Sequence, residues 1–174
     1  GGVGKTTLAQ YVYNDPRMEM EEYKFGIKAW VSVSDDFDVY KVTRAILEAI
    51  TKSTVHSRDL EIVQGRLKDK LKGKRFLLVL DDVWNEKREE WEALQTPLNY
   101  GAQGSKILVT TRNMEVASTM RSDKIYSLKQ LQEEQCWKVF AKHAFNVENF
   151  QLNPELKNIG ILIVDKCKGL PLAW

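Results

Sequence analysis

The run Gly1-Gly2-Val3-Gly4-Lys5-Thr6-Thr7 places a lysine and a hydroxyl directly behind its last glycine. That order suits a nucleotide-binding loop. Successive backbone amides curl around phosphates, Lys5 reaches the β and γ phosphates, and the Thr6 hydroxyl ligates Mg²⁺. Glycine is required at Gly2 and Gly4 because a side chain would hold phosphates away from the amides and because the tight curl visits positive φ. In G-x-x-x-x-G-K-[ST] the first glycine falls two residues upstream of Gly1. The first turn of the loop and the strand feeding it are therefore expected outside this sequence, which reads as a piece of a longer chain. The plainer alternative is a glycine-rich turn with a solvated lysine and threonine. The register of the whole run and the apolar-periodic stretch Leu8–Val12 behind it argue for the phosphate loop.

Two further groups could complete such a site. Asp81 and Asp82 follow the apolar run Phe76-Leu77-Leu78-Val79-Leu80, 76 residues after Lys5. A strand of that composition is buried on both faces, so the pair falls at the C-terminal edge of a parallel sheet, where such folds bind ligands. Asp81 would hold Mg²⁺ through its water shell, and Asp82 would orient or deprotonate an attacking water. A solvated Asp-Asp turn is the alternative. Thr110-Thr111-Arg112 closes the next apolar strand in the same way, which brings Arg112 to the same edge as a candidate sensor of a γ phosphate; alone, it would read as a surface arginine opening a helix.

The elements that must position these residues alternate. A helix is expected over Lys5–Tyr13 with Leu8 and Val12 on one face, then a strand over Ile27–Val33 and a helix capped by Asp38 through Val42, Ile46 and Ile50. Leu60, Val63, Leu67 and Leu71 mark another helix, closed by Gly73 before the strand at Phe76–Leu80. A short helix near Glu89–Leu94, a strand over Lys106–Thr110, a helix over Asn113–Met120 and a strand near Ile125–Leu128 continue the pattern. This predicts an α/β fold with a parallel sheet flanked by helices. In P-loop folds of this kind the strand preceding the loop lies inside the sheet, so the four strands are expected to leave a gap for it. After Leu131 only helical spacing follows, in Trp137, Phe140, Ala141, Ala144 and Phe145 and again from Asn153-Pro154 through Leu156, Ile159, Ile163 and Cys167. Residues 1–130 are thus read as a nucleotide-binding unit and 131–174 as the start of a helical one. Gly169-Leu170-Pro171-Leu172-Ala173 makes a corner between helices or a lid over a nucleotide base.

Composition narrows the class. The 174 residues, 43% hydrophobic and 29% charged, can bury a sizeable core, and a net charge of +2 gives no ground for a nucleic-acid or membrane partner. Cys136 and Cys167 sit in helical apolar patterns and read as core residues of a protein in a reducing, cytoplasmic setting. His56 and His143 lie in no metal-binding spacing, and no apolar run reaches the length of a membrane span. Trp30, Trp84, Trp91 and Trp137 read as packing residues rather than base stackers.

The segments GGVGKTT, FGIKAWVSVSDDF, KRFLLVLDDVW, GSKILVTTR, YSLKQLQEEQCWKVFAKHAF and GLPLA stand in this order along essentially the whole chain. Together they resemble plant NB-ARC disease-resistance proteins. Trp84, closing LDDVW, and the FGIKAWVSVSDDF segment resemble the coiled-coil branch of that family rather than the TIR branch. The resemblance implies an ATP/ADP switch, in which ADP holds a closed state, ATP opens the receptor to signal and oligomerise, and slow hydrolysis resets it. It implies that Gly1, Gly2, Val3, Gly4, Lys5, Thr6 and Thr7 contact the nucleotide, that Thr6 and Asp81 serve Mg²⁺, and that Asp82 serves catalysis. Arg112 would be the sensor, and Pro171 would pack near the base or ribose. Coiled-coil and leucine-rich-repeat domains would be intramolecular partners in the parent protein. The sequence departs from the family pattern at Trp174, where an aliphatic residue is usual, and it contains no second helical subdomain with its ADP-contacting histidine. A P-loop kinase of small molecules or nucleotides and a nucleotide-independent interaction module remain the alternatives; the first needs an acceptor site and an arginine-bearing lid that the sequence does not display.

Overall fold

A computed structural model describes residues 2–20, 24–33, 36–145 and 154–170. The chain divides into two compact units, Thr6–Ile125 and a second that gathers Gly1–Lys5 with Tyr126–Trp174.

In the first unit three parallel strands, β1 (Ile27–Ser32), β2 (Phe76–Asp81) and β3 (Lys106–Val109), pair in the order β1-β2-β3. Ile27 lies opposite Phe76 and Ser32 opposite Asp81, while Leu77 lies opposite Lys106 and Leu80 opposite Val109. All six residues of β2 are buried, as a central strand with covered faces demands. Between the strands run α2 (Val39–Thr51), α3 (Leu60–Leu71) and α4 (Arg88–Leu98). Their apolar faces meet one side of the sheet in a core where Ile46, Val63, Leu67, Leu80 and Leu94 are fully buried, beside Ala29, Val31, Phe76 and Leu78. Truncating such a leucine to alanine costs about 2–5 kcal/mol.

The helix ends follow local chemistry. The Asp38 carboxylate accepts from the Lys41 amide at 2.7 Å to start α2, and Asp59 does the same for Glu61 at 2.8 Å to start α3. Chain reversal after α3 passes through Gly73 at φ 66°. The side opposite Ala29 and Val31 carries Trp30, whose ring meets Tyr13 edge-on with centroids 5.6 Å apart; Tyr13 ends α1 (Lys5–Tyr13).

Two expectations fail in detail. The buried position of α1 is Ala9, and Leu8 is 46% exposed, so the buried stripe of that helix is rotated from the Leu8/Val12 face. Ile125–Leu128 forms no strand; Ile125, Tyr126 and Leu128 are exposed, and among the described residues no strand pairs with the edge of β3 that faces away from β2. Without a ladder to join, an extended apolar segment has no backbone partners that would make it a strand. The other three strands pair directly with one another, which leaves room for a further strand only outside them, as beside β3.

In the second unit α6 (Glu133–Phe145) packs against α7 (Pro154–Lys166). Their approach is close at Gly160, where a Cβ would meet the Trp137 ring at 2.6 Å. Cys136, Ala141 and Val164 are buried. Burial pushes the Cys136 thiol up from its ordinary value. The Gly169 carbonyl accepts from the Leu131 amide at 3.1 Å, closing the unit near its corner. Among the described residues no helix is long and apolar enough to cross a membrane.

Candidate nucleotide site

Parallel pairing in register brings the C-terminal ends of β1, β2 and β3 to one edge. Backbone bonds continue past the strands there: the Val33 amide donates to Asp81 O at 2.9 Å, the Thr110 amide to Leu80 O at 3.0 Å, and the Val83 amide to Thr110 O at 2.9 Å. These bonds hold the backbone on both sides of the Asp81-Asp82 pair.

Asp81 is 7% exposed, and its charge is met by hydroxyl donors. Thr6 Oγ1 donates to its two oxygens at 3.0 and 3.1 Å across 75 positions of sequence. Thr110 Oγ1 donates to Asp81 Oδ1 at 2.6 Å and accepts from the Asp82 amide at 2.9 Å. Thr110 therefore joins both carboxylate residues, a role that sequence reading assigned to no residue. The available signal was a hydroxyl placed directly after an apolar strand in register with the aspartates.

Asp82 adopts φ 59°, a left-handed conformation that aspartate tolerates better than most side chains. Arg112 Nη2 donates to Asp82 Oδ2 at 3.4 Å, and Arg112 Nε lies 3.4 Å from Asp82 Oδ1. The Arg112 guanidinium also faces Trp84, with Cζ 5.1 Å from the ring centroid. Trp91 is buried in the core, whereas Trp84 is 37% exposed.

In the loop, Gly2 and Gly4 take φ values of 85° and 91°, the region where a side chain is strained. A Cβ on Gly4 would meet no protein atom within 4 Å, so it is the backbone conformation, not crowding, that demands glycine there. Lys5 opens α1, and Thr6 and Thr7 lie exposed in its first turn. Gly1 and Pro171 fall outside the described residues. Among the described residues no cluster of three or more His, Cys, Asp or Glu side chains could hold a metal.

Residues 1–149 match the NB-ARC domain. The chain belongs to the NB-ARC domain family. Over 175 aligned residues it is 45% identical to the disease resistance RPP13-like protein 1 of Arabidopsis thaliana, with 99% of this chain and 16% of that protein covered. It is 44% identical over 174 residues to the disease resistance protein RGA2 of Solanum bulbocastanum, covering 99% of this chain and 18% of the relative. The chain thus spans less than a fifth of the length of either relative. NB-ARC membership implies nucleotide binding. The matched span contains the glycine loop, both aspartates, Thr110 and Arg112, and leaves Pro171 beyond it.

Proposed function

We propose that this NB-ARC chain is the ATP/ADP-binding switch module of a cytoplasmic plant immune receptor of the coiled-coil type, with slow Mg²⁺-dependent ATP hydrolysis. The reading rests on one observation above the others. The hydroxyl directly behind the glycine loop and the carboxylate at the end of the central strand are in hydrogen-bond contact, 75 positions apart.

A hydroxyl beside a buried carboxylate is the donor set that Mg²⁺ takes when its remaining positions are water and phosphate oxygen. Thr6 and Asp81 fit the ion on those grounds, and when bound it would neutralise phosphate charge. Residues Gly1–Gly4 would supply amides to the phosphates, Lys5 a point charge, and Thr7 a further hydroxyl. Asp82 would orient the attacking water, Arg112 would contact the γ phosphate, and Pro171 would lie near the base or ribose. On this reading residues 1–130 form the nucleotide-binding subdomain and 131–174 the start of the helical one. Coiled-coil and leucine-rich-repeat domains of the parent receptor would be its intramolecular partners, and self-association would follow ATP binding.

Calorimetric titration of an intact version of the domain with Mg-ADP and Mg-ATP, repeated with EDTA, tests the assignment, together with phosphate release measured with and without candidate acceptor molecules. Binding of both nucleotides with slow, EDTA-sensitive phosphate release is expected. Phosphate transfer to an acceptor would instead establish a kinase, and absence of affinity for either nucleotide would leave an interaction module.

A further inference from the structure

Trp84 has no part in the roles above, yet its ring faces the guanidinium that pairs with Asp82. The three groups come from two neighbouring loops at one sheet edge. Asp82 and Trp84 flank the fully buried Val83, which anchors their loop, and Arg112 follows the strand-end Thr110 two positions on. The stack is not forced by packing, because Trp84 is 37% exposed and the Arg112 side chain 46% exposed. Two attractions therefore act on the same guanidinium, an exposed ion pair and a ring face, and at such exposure they are of similar strength.

We propose that Trp84 is a positioning residue that stores Arg112 on Asp82, and that its ring thereby sets how strongly the site discriminates ATP from ADP. The proposal rests on the nucleotide reading given above. While Arg112 faces both oxygens of Asp82, that carboxylate is engaged and the guanidinium is withheld from any other anion. Arg112 leaves this position only for a stronger anion within reach. A γ phosphate is such an anion, whereas ADP has none at the corresponding place. Stacking on Trp84 favours the stored position, so it opposes ATP and leaves ADP untouched.

The test compares the wild-type chain with Trp84→Leu, Trp84→Phe and Arg112→Ala, and with Trp84→Leu combined with Arg112→Ala. The measurements are the affinities for Mg-ADP and for the slowly hydrolysed Mg-ATPγS, and the Arg112 side-chain Nε–H resonance in the nucleotide-free chain. Trp84→Leu is expected to raise the ATPγS-to-ADP affinity ratio by about two- to fivefold, the size of one exposed cation–π contact. Trp84→Phe should restore most of the wild-type ratio, and Trp84→Leu should have no effect on the ratio once Arg112 is alanine. The Nε–H resonance should lose its ring-current displacement in Trp84→Leu and keep part of it in Trp84→Phe. Nucleotide binding with an unchanged or lowered ratio in Trp84→Leu overturns the proposal alone, as does an Nε–H resonance that ignores the ring or a ratio that still moves without Arg112. Failure of the wild-type chain to bind either nucleotide overturns the underlying reading and the proposal with it. Should Trp84→Leu fail to fold, Trp84→Phe carries the test through a smaller change of the same sign.

Discussion

Thr110 Oγ1 donates to Asp81 Oδ1 at 2.6 Å while the same oxygen accepts from the Asp82 amide. One buried hydroxyl therefore helps orient the carboxylate proposed for Mg²⁺ and holds the backbone turn that presents the carboxylate proposed for the attacking water.

Replacing Thr110 with valine keeps the volume, removes the shorter of the two hydroxyl bonds to Asp81 Oδ1 and leaves the Asp82 amide without its acceptor. The variant is expected to lose about 1–3 kcal/mol of stability, seen as a lower urea midpoint at unchanged slope. Serine at this position should retain most of it. A valine variant as stable as wild type would show that water replaces the hydroxyl in both bonds.

Lys5→Ala in an intact version of the domain is expected to abolish nucleotide binding while preserving the fold. Lys5 opens α1 and is absent from the buried core, so its contribution is charge rather than packing. ADP titration alongside far-UV circular dichroism separates the two effects, and unaltered affinity would remove the phosphate-loop assignment.

Asp82→Asn is expected to slow hydrolysis by about a hundredfold or more, the range of a lost general base, with ATP binding held within a few fold. Arg112→Ala should weaken ATP more than ADP, by about tenfold in the ratio, because a charged hydrogen bond contributes about 1.5–3 kcal/mol. Single-turnover hydrolysis and equilibrium titration check the pair. Equal losses in binding and turnover for Asp82→Asn would make it a metal ligand instead.

Glu48 gives the first unit an acid-sensitive joint. Its Oε1 accepts from the Val55 amide at 2.8 Å and from Arg44 Nε at 3.0 Å, tying the end of α2 to the following loop. The Val55 amide first, and then Arg44, hold its carboxyl below the ordinary value of 4.5. Because the folded-state value lies below the unfolded one, the stabilisation is present above the ordinary carboxylate value and is lost as pH falls through the lowered one. Thermal melts from about pH 6 down to about pH 3 should therefore show a shallower decline for Glu48→Gln than for wild type. Parallel curves would exclude this carboxylate from the acid response.

Much of the architecture was legible along the chain because the signals are local. Asp38 caps α2, Gly73 carries the reversal after α3, and the unbroken apolar run at Phe76–Leu80 becomes the fully buried central strand. Those outcomes depend on hydrogen bonds and burial within a few residues. Ile125–Leu128 shows the limit: its apolar character predicts a strand, but strand formation requires a neighbouring ladder, and none among the described residues reaches it. The Leu8/Val12 face of α1 was misread for a related reason, since periodicity finds a stripe while tertiary contacts choose which stripe is buried.

For the site, sequence by itself determined the inventory: a glycine loop with Lys5 and Thr6, two carboxylates after an apolar strand, and an arginine after the next. Residue type and spacing suffice for that, because phosphate and Mg²⁺ chemistry demand particular groups at the ends of particular elements. Only the tertiary structure decided the pairings. Thr6 meets Asp81, Thr110 bridges Asp81 and Asp82, and Arg112 lies between Asp82 and Trp84. Each contact joins residues distant in sequence, and which of them touch depends on strand order and register, set by the whole sheet rather than by any one segment, except that Asp82 and Trp84 share a loop.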